Sequence, residues 1–437
     1  MIHNDDAPMK IQNFEDLATT DERHALLSIA EAGYEAIDTA LVMARQLRRE
    51  GDALFVGGER INLVAVGKLI VIAIGKCAAD AAMVADQMVG DRITAGVVVD
   101  VKVCAALPHF TTFCGTHPLP SEENMHAAEA IGAILKGLAE NDLVIFIVSG
   151  GGSTLLFLPE DRASREEVAI MNALIDAGAT IQEINVVRKH LSYARGGNLA
   201  KDAYPARVIA LIFSDVVGDD LSSIASGPTV KDATTVADAM RVLEKYDVLK
   251  QCGLEKCGFI ETPKDDKYFE HVSNVLVVSN RHALEAMQAA AVALGYAAEI
   301  RGSDLVGEAD DAGRMLAAAI HAAPAHTALL WAGETTVTVR HPDGRGGRNL
   351  ALAASALRFI NDDEAILSFA SDGRDHGPFA GAIADVVTKR AALDRGVDTE
   401  AFRIADDTYA LFEKIGNYVM TGDTGSNVSD LMIALKT

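Results

Sequence analysis

The chain has few aromatic residues and no pattern of paired cysteines, and both shortages restrict its fold. Aromatic side chains make up 5% of the 437 residues, with Trp331 as the one tryptophan, whereas 49% of the chain is hydrophobic and rich in Ala, Val, Ile and Leu. This composition favours helices packed on buried parallel strands over an aromatic-rich β-sandwich. The five cysteines lack CxxC spacing. This argues against a zinc site or a disulfide framework and indicates reduced thiols in the cytoplasm.

Basic residues are scarce relative to acidic ones. The chain has 39 Lys and Arg against 62 Asp and Glu, which gives a formal net charge of −23. Such a surface repels nucleic acid and anionic membranes, so neither is an expected partner. No apolar run is long enough to span a bilayer, and residues 1–10 lack the basic and apolar regions of a signal peptide. We therefore expect a cytoplasmic protein with a small-molecule substrate; the sequence leaves the oligomeric state open, with a homodimer as one option.

Strands alternate with helices along the chain, which indicates an α/β fold with mostly parallel, doubly wound sheets. A chain of 437 residues is too long for one ordinary core, so two domains are expected. The polar segment 261–270 lacks periodicity and places the boundary, which gives an N-terminal domain of residues 1–265 and a C-terminal α/β domain of residues 266–437. The strands predicted in the first domain are Leu69–Ile74, 96–101, 111–116, Leu143–Val148 and 208–213.

Local patterns also predict structure in the remaining segments. Residues 21–50 are expected to form long helices, and 304–320 another helix. The alternating segment 334–340 is typical of a half-exposed strand. The loop 421–428 is expected to lead into a short terminal helix. The strands predicted for the second domain are 275–278, 328–331 and 365–369.

The segment 142–156 joins a buried strand to a glycine turn. Three glycines there allow positive φ angles and close approach to a ligand, and a following helix N-terminus would add unpaired N–H groups. One interpretation is a site for the phosphates of a nucleotide; the other is a tight strand-to-helix connection without a ligand. The residues alone support both about equally. The candidate cofactor-binding residues are Ser149, Gly150, Gly151, Gly152, Ser153 and Thr154.

Other polar side chains follow the predicted strands at the end where ligands bind in open α/β sheets. They are Lys76, Asp215, Glu334 and Asp372. One cation and three carboxylates beside a phosphate loop suit a phosphate ester with Mg²⁺, and Asp372 and Glu334 are the candidate metal ligands. Each residue also has a simpler interpretation: a surface lysine at a helix start, N-caps at the two aspartates, and a hairpin turn at Glu334.

The segment 344–349 (GRGGRN) crowds two arginines among glycines, just before an apolar helix. Arginine at a helix N-terminus opposes the helix dipole, so we expect Arg348 to bind an anion in preference to facing solvent in a flexible loop. His190, within the sequence Arg188-Lys189-His190, is interpreted as structural.

Known nucleotide-binding motifs are absent from the sequence. It has no GxxxxGK[ST] motif and no protein-kinase glycine loop with its partner motifs. The nicotinamide fingerprint GxGxxG is incomplete, because Leu155 stands at the third glycine position.

Several segments together resemble the glycerate 2-kinases of the MOFRL type, whose members are often labelled hydroxypyruvate reductases. The resemblance covers nearly the whole chain, in the family's order, and implies two Rossmann-like domains with an interdomain active-site cleft. It also implies ATP-dependent phosphorylation of D-glycerate at its 2-hydroxyl, with Lys76 and Arg348 as functional cations and Asp215 as an acidic partner. In many members Gln-Glu follows the GGRN motif, where this chain has Leu350-Ala351. The segments are AIGKCA (73–78), THPLPSEEN (116–124), VSGGGSTLL (148–156), NVVRKHLSYARGGNLA (185–200), FSDVVGDDLSSIASGPT (213–229), GGRN (346–349) and TGDTGSNVSDL (421–431).

We therefore expect in-line transfer of the γ-phosphoryl group of ATP, with Mg²⁺, to a small 2-hydroxy acid. The glycine loop would hold phosphates, and Lys76 and Arg348 would neutralise the substrate carboxylate or the transferring phosphate. Asp215 would orient or deprotonate the hydroxyl, or bind Mg²⁺. Two other classes remain: an NAD(P)H-dependent hydroxypyruvate reductase, and a sugar-phosphate sensing module that binds without chemistry.

Overall fold

The computed structural model describes residues 9–103, 105–160, 164–216, 218–254, 258–341 and 343–437. Most of the segment used to predict the absence of a signal peptide lies outside these ranges, as do Cys104 and Cys257. None of the helices in the described ranges combines the length and apolarity needed to cross a membrane.

The strands are β1 (Leu47–Glu50), β2 (Ala53–Val56), β3 (Glu59–Asn62), β4 (Leu69–Ile74), β5 (Ile93–Asp100), β6 (Phe110–Cys114), β7 (Leu143–Val148), β8 (Arg207–Phe213), β9 (Val272–Val278), β10 (Ala297–Leu305), β11 (Thr327–Gly333), β12 (Glu364–Ala370), β13 (Gly381–Ala384), β14 (Tyr418–Val419) and β15 (Asp430–Lys436). The α-helices are α1 (Phe14–Leu17), α2 (Asp21–Ile37), α3 (Thr39–Gln46), α4 (Ala78–Val89), α5 (Glu122–Leu135), α6 (Gly152–Leu155), α7 (Ser164–Asp176), α8 (Ile181–Lys189), α9 (Asn198–Ala203), α10 (Val236–Lys245), α11 (Val248–Gln251), α12 (Asn280–Ala293), α13 (Ala309–His321), α14 (Arg348–Ala356), α15 (Val386–Asp394), α16 (Thr399–Ile404) and α17 (Thr408–Ile415).

The chain divides into two compact units, Thr39–Val278 and a second unit that combines Met1–Asp38 with Ser279–Thr437. This division differs from the predicted boundary after residue 265 at both ends of the first unit. Strand β9 pairs in parallel with β8, so it belongs to the first sheet. Helix α2 packs against α12 and therefore belongs to the second unit. Both differences arise from contacts between distant segments, which local patterns do not encode.

The unit Thr39–Val278 is built on a six-stranded sheet in the order β6-β5-β4-β7-β8-β9. All neighbouring strands in it are parallel, as predicted. Every residue of β4 and of β7 is buried, because apolar side chains on both faces pack into the core. Parallel pairing brings the carboxyl ends of these strands to one edge of the sheet. A separate antiparallel sheet, β1-β2-β3, contains residues at the end of the segment predicted as helix up to residue 50.

The second unit has a six-stranded sheet in the order β10-β11-β15-β12-β13-β14. The prediction of a mostly parallel sheet is wrong here, because only β10 and β11 pair in parallel. Two strands cause this, because β15 runs antiparallel to β11 and β12, and β13 runs antiparallel to β12 and β14. The sequence predicted a terminal helix where β15 forms. Six of the seven β15 residues are buried, and a short apolar run of this kind suits a buried helix or a buried strand equally well.

Two further local predictions fail in the second unit. The alternating segment 334–340 forms no strand and contributes one isolated bridge between Thr336 and Glu308. The predicted helix 304–320 starts later, at Ala309, because β10 extends to Leu305 and pairs with β11. In both cases hydrogen-bond partners elsewhere in the unit decide the outcome.

Candidate functional site

In the unit Thr39–Val278, the turns that follow β4 and β7 contact each other at the carboxyl edge of the sheet. The backbone N–H of Lys76 donates to the carbonyl oxygen of Gly150 at 3.0 Å. The Ser149 hydroxyl donates to the carbonyl oxygen of Ile74 at 3.2 Å. Gly75 has a φ of +119°, and a Cβ there would lie 2.1 Å from Ser149 Oγ. Glycine at this position therefore allows the two turns to touch, and Lys76 is placed beside the loop.

Asp215, which follows β8, lies against the same loop. A Cβ at Gly150 would be 2.1 Å from Oδ2 of Asp215. A Cβ at Gly151 would be 3.3 Å from Cγ of Lys76 and 3.5 Å from Cδ2 of His117. The structure thus brings together the glycine loop, Lys76 and Asp215, which the sequence placed at neighbouring strand ends.

The loop does not have the strong helix N-terminus that the sequence suggested. Helix α6 has four residues, Gly152–Leu155, and a single turn carries only a small dipole. The hydroxyl of Thr154 donates to the carbonyl oxygen of Pro118 at 3.3 Å. The hydroxyls of Ser149 and Thr154 therefore donate to the backbone. Attraction of an anion to this edge must come mainly from cationic side chains.

The sequence interpretation missed His117, which lies beside Gly151, and Arg188, whose charge acts on His117. Burial, followed by the charges of Lys76 and Arg188, lowers the pKa of His117. Arg188 precedes Lys189 and His190 in the same basic sequence. His190 itself is buried, with Nδ1 2.8 Å from the Val186 carbonyl oxygen, as its structural interpretation requires. The sequence feature that could have identified Arg188 is its position near the end of an amphipathic helix, α8.

In the second unit, Arg348 is the first residue of α14 and is held by two carboxylates. Its Nε donates to Oδ2 of Asp430, and its Nη2 donates to Oδ1 of Asp430 at 3.2 Å. Its Nη1 donates to Oε1 of Glu334 at 2.7 Å. Burial opposes the guanidinium charge, but the carboxylates of Asp430 and Glu334 outweigh it and raise the pKa of Arg348. The unfavourable position at a helix N-terminus is therefore compensated within the chain.

Asp375 completes this arrangement, and the sequence interpretation missed it. Its carboxylate oxygens accept from the N–H groups of Asn349 at 3.1 Å and of Leu350 at 2.8 Å. These are N–H groups that the first turn of a helix leaves unpaired. Burial raises the pKa of Asp375, although these hydrogen bonds oppose the rise. A cavity of about 570 Å³ adjoins Arg348, lined among others by Thr336, His376 and Arg403.

The two predicted metal ligands have other contacts. Glu334 pairs with Arg348, and Oδ1 of Asp372 accepts from the Arg374 N–H at 3.0 Å, as a turn-capping aspartate does. Within the described ranges, no group of three or more His, Cys, Asp or Glu side chains is arranged to hold a metal ion.

The chain matches two family models and several known proteins. Residues 25–255 match a domain of unknown function (DUF4147), and residues 327–430 match the MOFRL family. A glycerate 2-kinase from Pyrococcus horikoshii is 36% identical, with 95% of this chain and 98% of that protein covered. A protein from Agrobacterium vitis, provisionally named hydroxypyruvate reductase, is 37% identical over 84% of this chain and 87% of its own length. The crystal structure of a glycerate kinase from Thermotoga maritima superposes with a TM-score of 0.83 at 32% identity, covering 94% of this chain and 99% of that one.

Proposed function

Because the chain belongs to the glycerate 2-kinase family that carries the MOFRL domain, we propose that it phosphorylates D-glycerate at the 2-hydroxyl with ATP, giving 2-phosphoglycerate and ADP. The main structural support is the convergence of Lys76, Asp215 and the loop 149–154 at the carboxyl edge of the parallel sheet. Ligands of open α/β sheets bind at this edge. Phosphoryl transfer chiefly requires positioning and charge neutralisation, which a lysine, an arginine and backbone N–H groups supply.

In this proposal each residue has a distinct task. Lys76 neutralises charge on the transferring phosphoryl group, next to the N–H groups of the glycine loop. Asp215 orients the attacking hydroxyl and accepts its proton. Arg348 contacts an anionic group of the substrates, and Asp430 and Glu334 hold its guanidinium in one orientation.

Mg²⁺ is the metal expected for this reaction, and when bound with ATP it neutralises phosphate charge. It takes one or two carboxylates from the protein and fills its remaining positions with phosphate oxygens and water. Asp215, whose carboxylate lies against the loop, would hold the metal in the alternative in which it is not the base, because a carboxylate bound to a cation is a poor proton acceptor. Glu334 fits the role of metal ligand less well because it forms an ion pair with Arg348. Asp372 also fits it less well because it caps a turn.

A direct assay tests the function. The purified protein is incubated with D-glycerate and MgATP, and separately with hydroxypyruvate and NADH. We expect ADP and 2-phosphoglycerate in the first reaction and no NADH oxidation in the second, with ³¹P NMR identifying the phosphorylated carbon. NADH oxidation without ADP would instead support the reductase, and phosphate-ester binding without either product the sensing module.

The cellular location is also a proposal. Cys77, Cys114 and Cys252 are free thiols in the part of the chain that the structure describes. Free thiols support a reducing compartment, and we propose the cytoplasm.

A further inference from the structure

The cavity of about 570 Å³ beside Arg348 lies within the second unit and has the size of a small-ligand site. One of its walls is the segment 335–340, part of the predicted strand that does not form. Two carboxylates hold this wall. Oε2 of Glu308 accepts from the N–H of Thr338 at 3.1 Å, and Oδ2 of Asp406 accepts from the N–H of Arg340 at 2.7 Å. The wall is therefore fixed by side chains at both ends.

Three large apolar side chains are exposed where they line this cavity. They belong to Val337, Val339 and Ile404. Exposed apolar groups that gather in a concave site are typical of ligand-binding surfaces. The backbone N–H groups of Val337 and Val339 have no hydrogen bond among the described residues. The wall thus offers an apolar surface together with backbone donors.

Thr335 contributes a buried polar group to the same wall. The residue is 2% exposed, and within the described ranges its hydroxyl has no hydrogen-bond partner. An unpaired buried hydroxyl destabilises a fold unless a ligand or a water molecule bonds to it. Because Thr335 lines the cavity, a ligand bound there would satisfy this hydroxyl.

The carboxylates that line the cavity already have partners. Oδ1 of Asp310 accepts from Nη1 of Arg403 at 2.7 Å, and Oδ1 of Asp311 accepts from Nη2 of Arg314 at 2.8 Å. The other two carboxylates, those of Glu308 and Asp406, hold the wall. The cavity is therefore not built to attract a cation.

Arg348, in contrast, keeps donors for an anion. Its Nη1 is bonded to Glu334 and its Nη2 to Asp430, and each of these nitrogens carries a second N–H. In the described part of the chain, neither second N–H has an acceptor. The cavity thus combines a cationic group with an apolar wall.

We propose that this cavity binds the nucleoside of the ATP donor, with the base against Val337, Val339 and Ile404 and the phosphate chain at the remaining N–H groups of Arg348. This inference rests on the proposed function. The flat faces of a purine are apolar and its ring nitrogens accept hydrogen bonds, which matches the wall and its backbone donors. D-glycerate is much smaller than the cavity and has no apolar face, so the acceptor does not account for these features.

Val339→Asn tests the apolar wall without adding charge. Val292→Asn is the matched control, because Val292 lies on α12 and is 58% exposed, against 62% for Val339. Val339→Asn should raise the Kd for ADP, measured by calorimetry, and the KM for MgATP by roughly 10- to 30-fold, because an amide replaces apolar contact with the base. The KM for D-glycerate should not change. Inhibition by tripolyphosphate, which has phosphates but no nucleoside, should also stay the same.

Thr335→Val distinguishes a ligand-binding hydroxyl from a structural one. Valine has nearly the same shape without the hydroxyl, so this variant should raise the melting temperature of the ligand-free protein and weaken ADP binding by roughly 3- to 10-fold. Thr335→Ser, which keeps the hydroxyl, should bind ADP as the wild type does.

Contrary results separate this inference from the proposed function. A raised KM for D-glycerate with unchanged ADP binding in Val339→Asn would assign the cavity to the acceptor and overturn the inference. Unchanged ADP binding in both Val339→Asn and Thr335→Val would also overturn it. If the wild-type enzyme forms no ADP from ATP and D-glycerate, the proposed function fails and calorimetry with ADP decides the inference. Wild-type binding that Val339→Asn weakens would then support it, and absence of wild-type binding would overturn it.

Discussion

The guanidinium of Arg348 is bound side-on by the carboxylate of Asp430, which engages both Nε and Nη2. Asp430 is the first residue of the central strand β15 and its side chain is 1% exposed, so the arginine is anchored to a buried position of the sheet. The remaining terminal nitrogen contacts Glu334, whose side chain is 51% exposed. This arrangement orients the arginine before any ligand arrives.

We predict that Asp430→Asn lowers kcat by roughly 10- to 100-fold, because Arg348 loses its fixed orientation. Burial raises the pKa of Asp430 to about 6 in spite of Arg348, so the ion pair is complete only above that pH. The wild-type kcat should therefore fall below about pH 6, and the variant should lack this acidic limb. Asp394→Asn, an exposed aspartate on α15, is the control. An identical acidic limb in Asp430→Asn would contradict the positioning role.

Lys76→Ala should reduce kcat by roughly 100- to 1,000-fold without unfolding the protein, because charge stabilisation at the phosphoryl group is lost. Lys68→Ala provides a matched control, since Lys68 precedes the same strand at its opposite end and is exposed. Initial rates of ADP formation and thermal melting of both variants check the prediction. Near-normal turnover in Lys76→Ala would refute the assignment.

Gly150→Ala tests the close approach of the loop to Asp215. The new Cβ would lie 2.1 Å from Oδ2 of Asp215, so one of the two must move. A displacement of this size at a reacting group lowers kcat/KM by roughly 100-fold. Gly132→Ala in α5 is the control, because no atom lies within 4 Å of its Cβ. That change should leave activity intact and raise the free energy of unfolding by about 0.5–1 kcal/mol. Equal activity of the two variants would show that the loop tolerates displacement.

The raised pKa of Glu22 predicts that the stability of the fold depends on pH. Burial, then the charges of Asp385 and Asp363, raises its pKa from 4.5 to about 7, although Arg23 opposes the rise. Between pH 4.5 and 7 the folded state therefore binds more protons than the unfolded state, and the free energy of unfolding falls as the pH rises. Glu22→Gln removes this titration. The difference in free energy of unfolding, variant minus wild type, should therefore increase by on the order of 1 kcal/mol as the pH rises through this window. This value is reduced for solvent screening, because Glu22 is only partly buried.

Urea denaturation at several pH values across that window measures the effect. Glu15→Gln, an exposed carboxylate on α1, is the control. The explanation fails if the difference between Glu22→Gln and wild type is independent of pH, or if Glu15→Gln shows the same trend.

Much of the first sheet could be predicted from the sequence, because its strands are local apolar runs. Leu69–Ile74 and Leu143–Val148 agree with β4 and β7 residue for residue. The placement of Lys76 and Asp215 follows in the same way, since a parallel sheet brings the residues after its strands to one edge. These predictions needed only the order of residues along the chain and one rule about sheets.

The tertiary structure decided which segments pair and which charges are neutralised. β15 became a central strand because β11 and β12 offer hydrogen-bond partners on both of its sides, whereas its apolar run alone also suits a helix. The sequence alone does not show that Lys189 has a carboxylate partner that the neighbouring Arg188 lacks among the described residues. The difference lies in Asp232, a carboxylate 43 residues away from Lys189, which pairs with that lysine. Burial and ion pairing depend on contacts between distant residues, so folding determined them and local sequence did not.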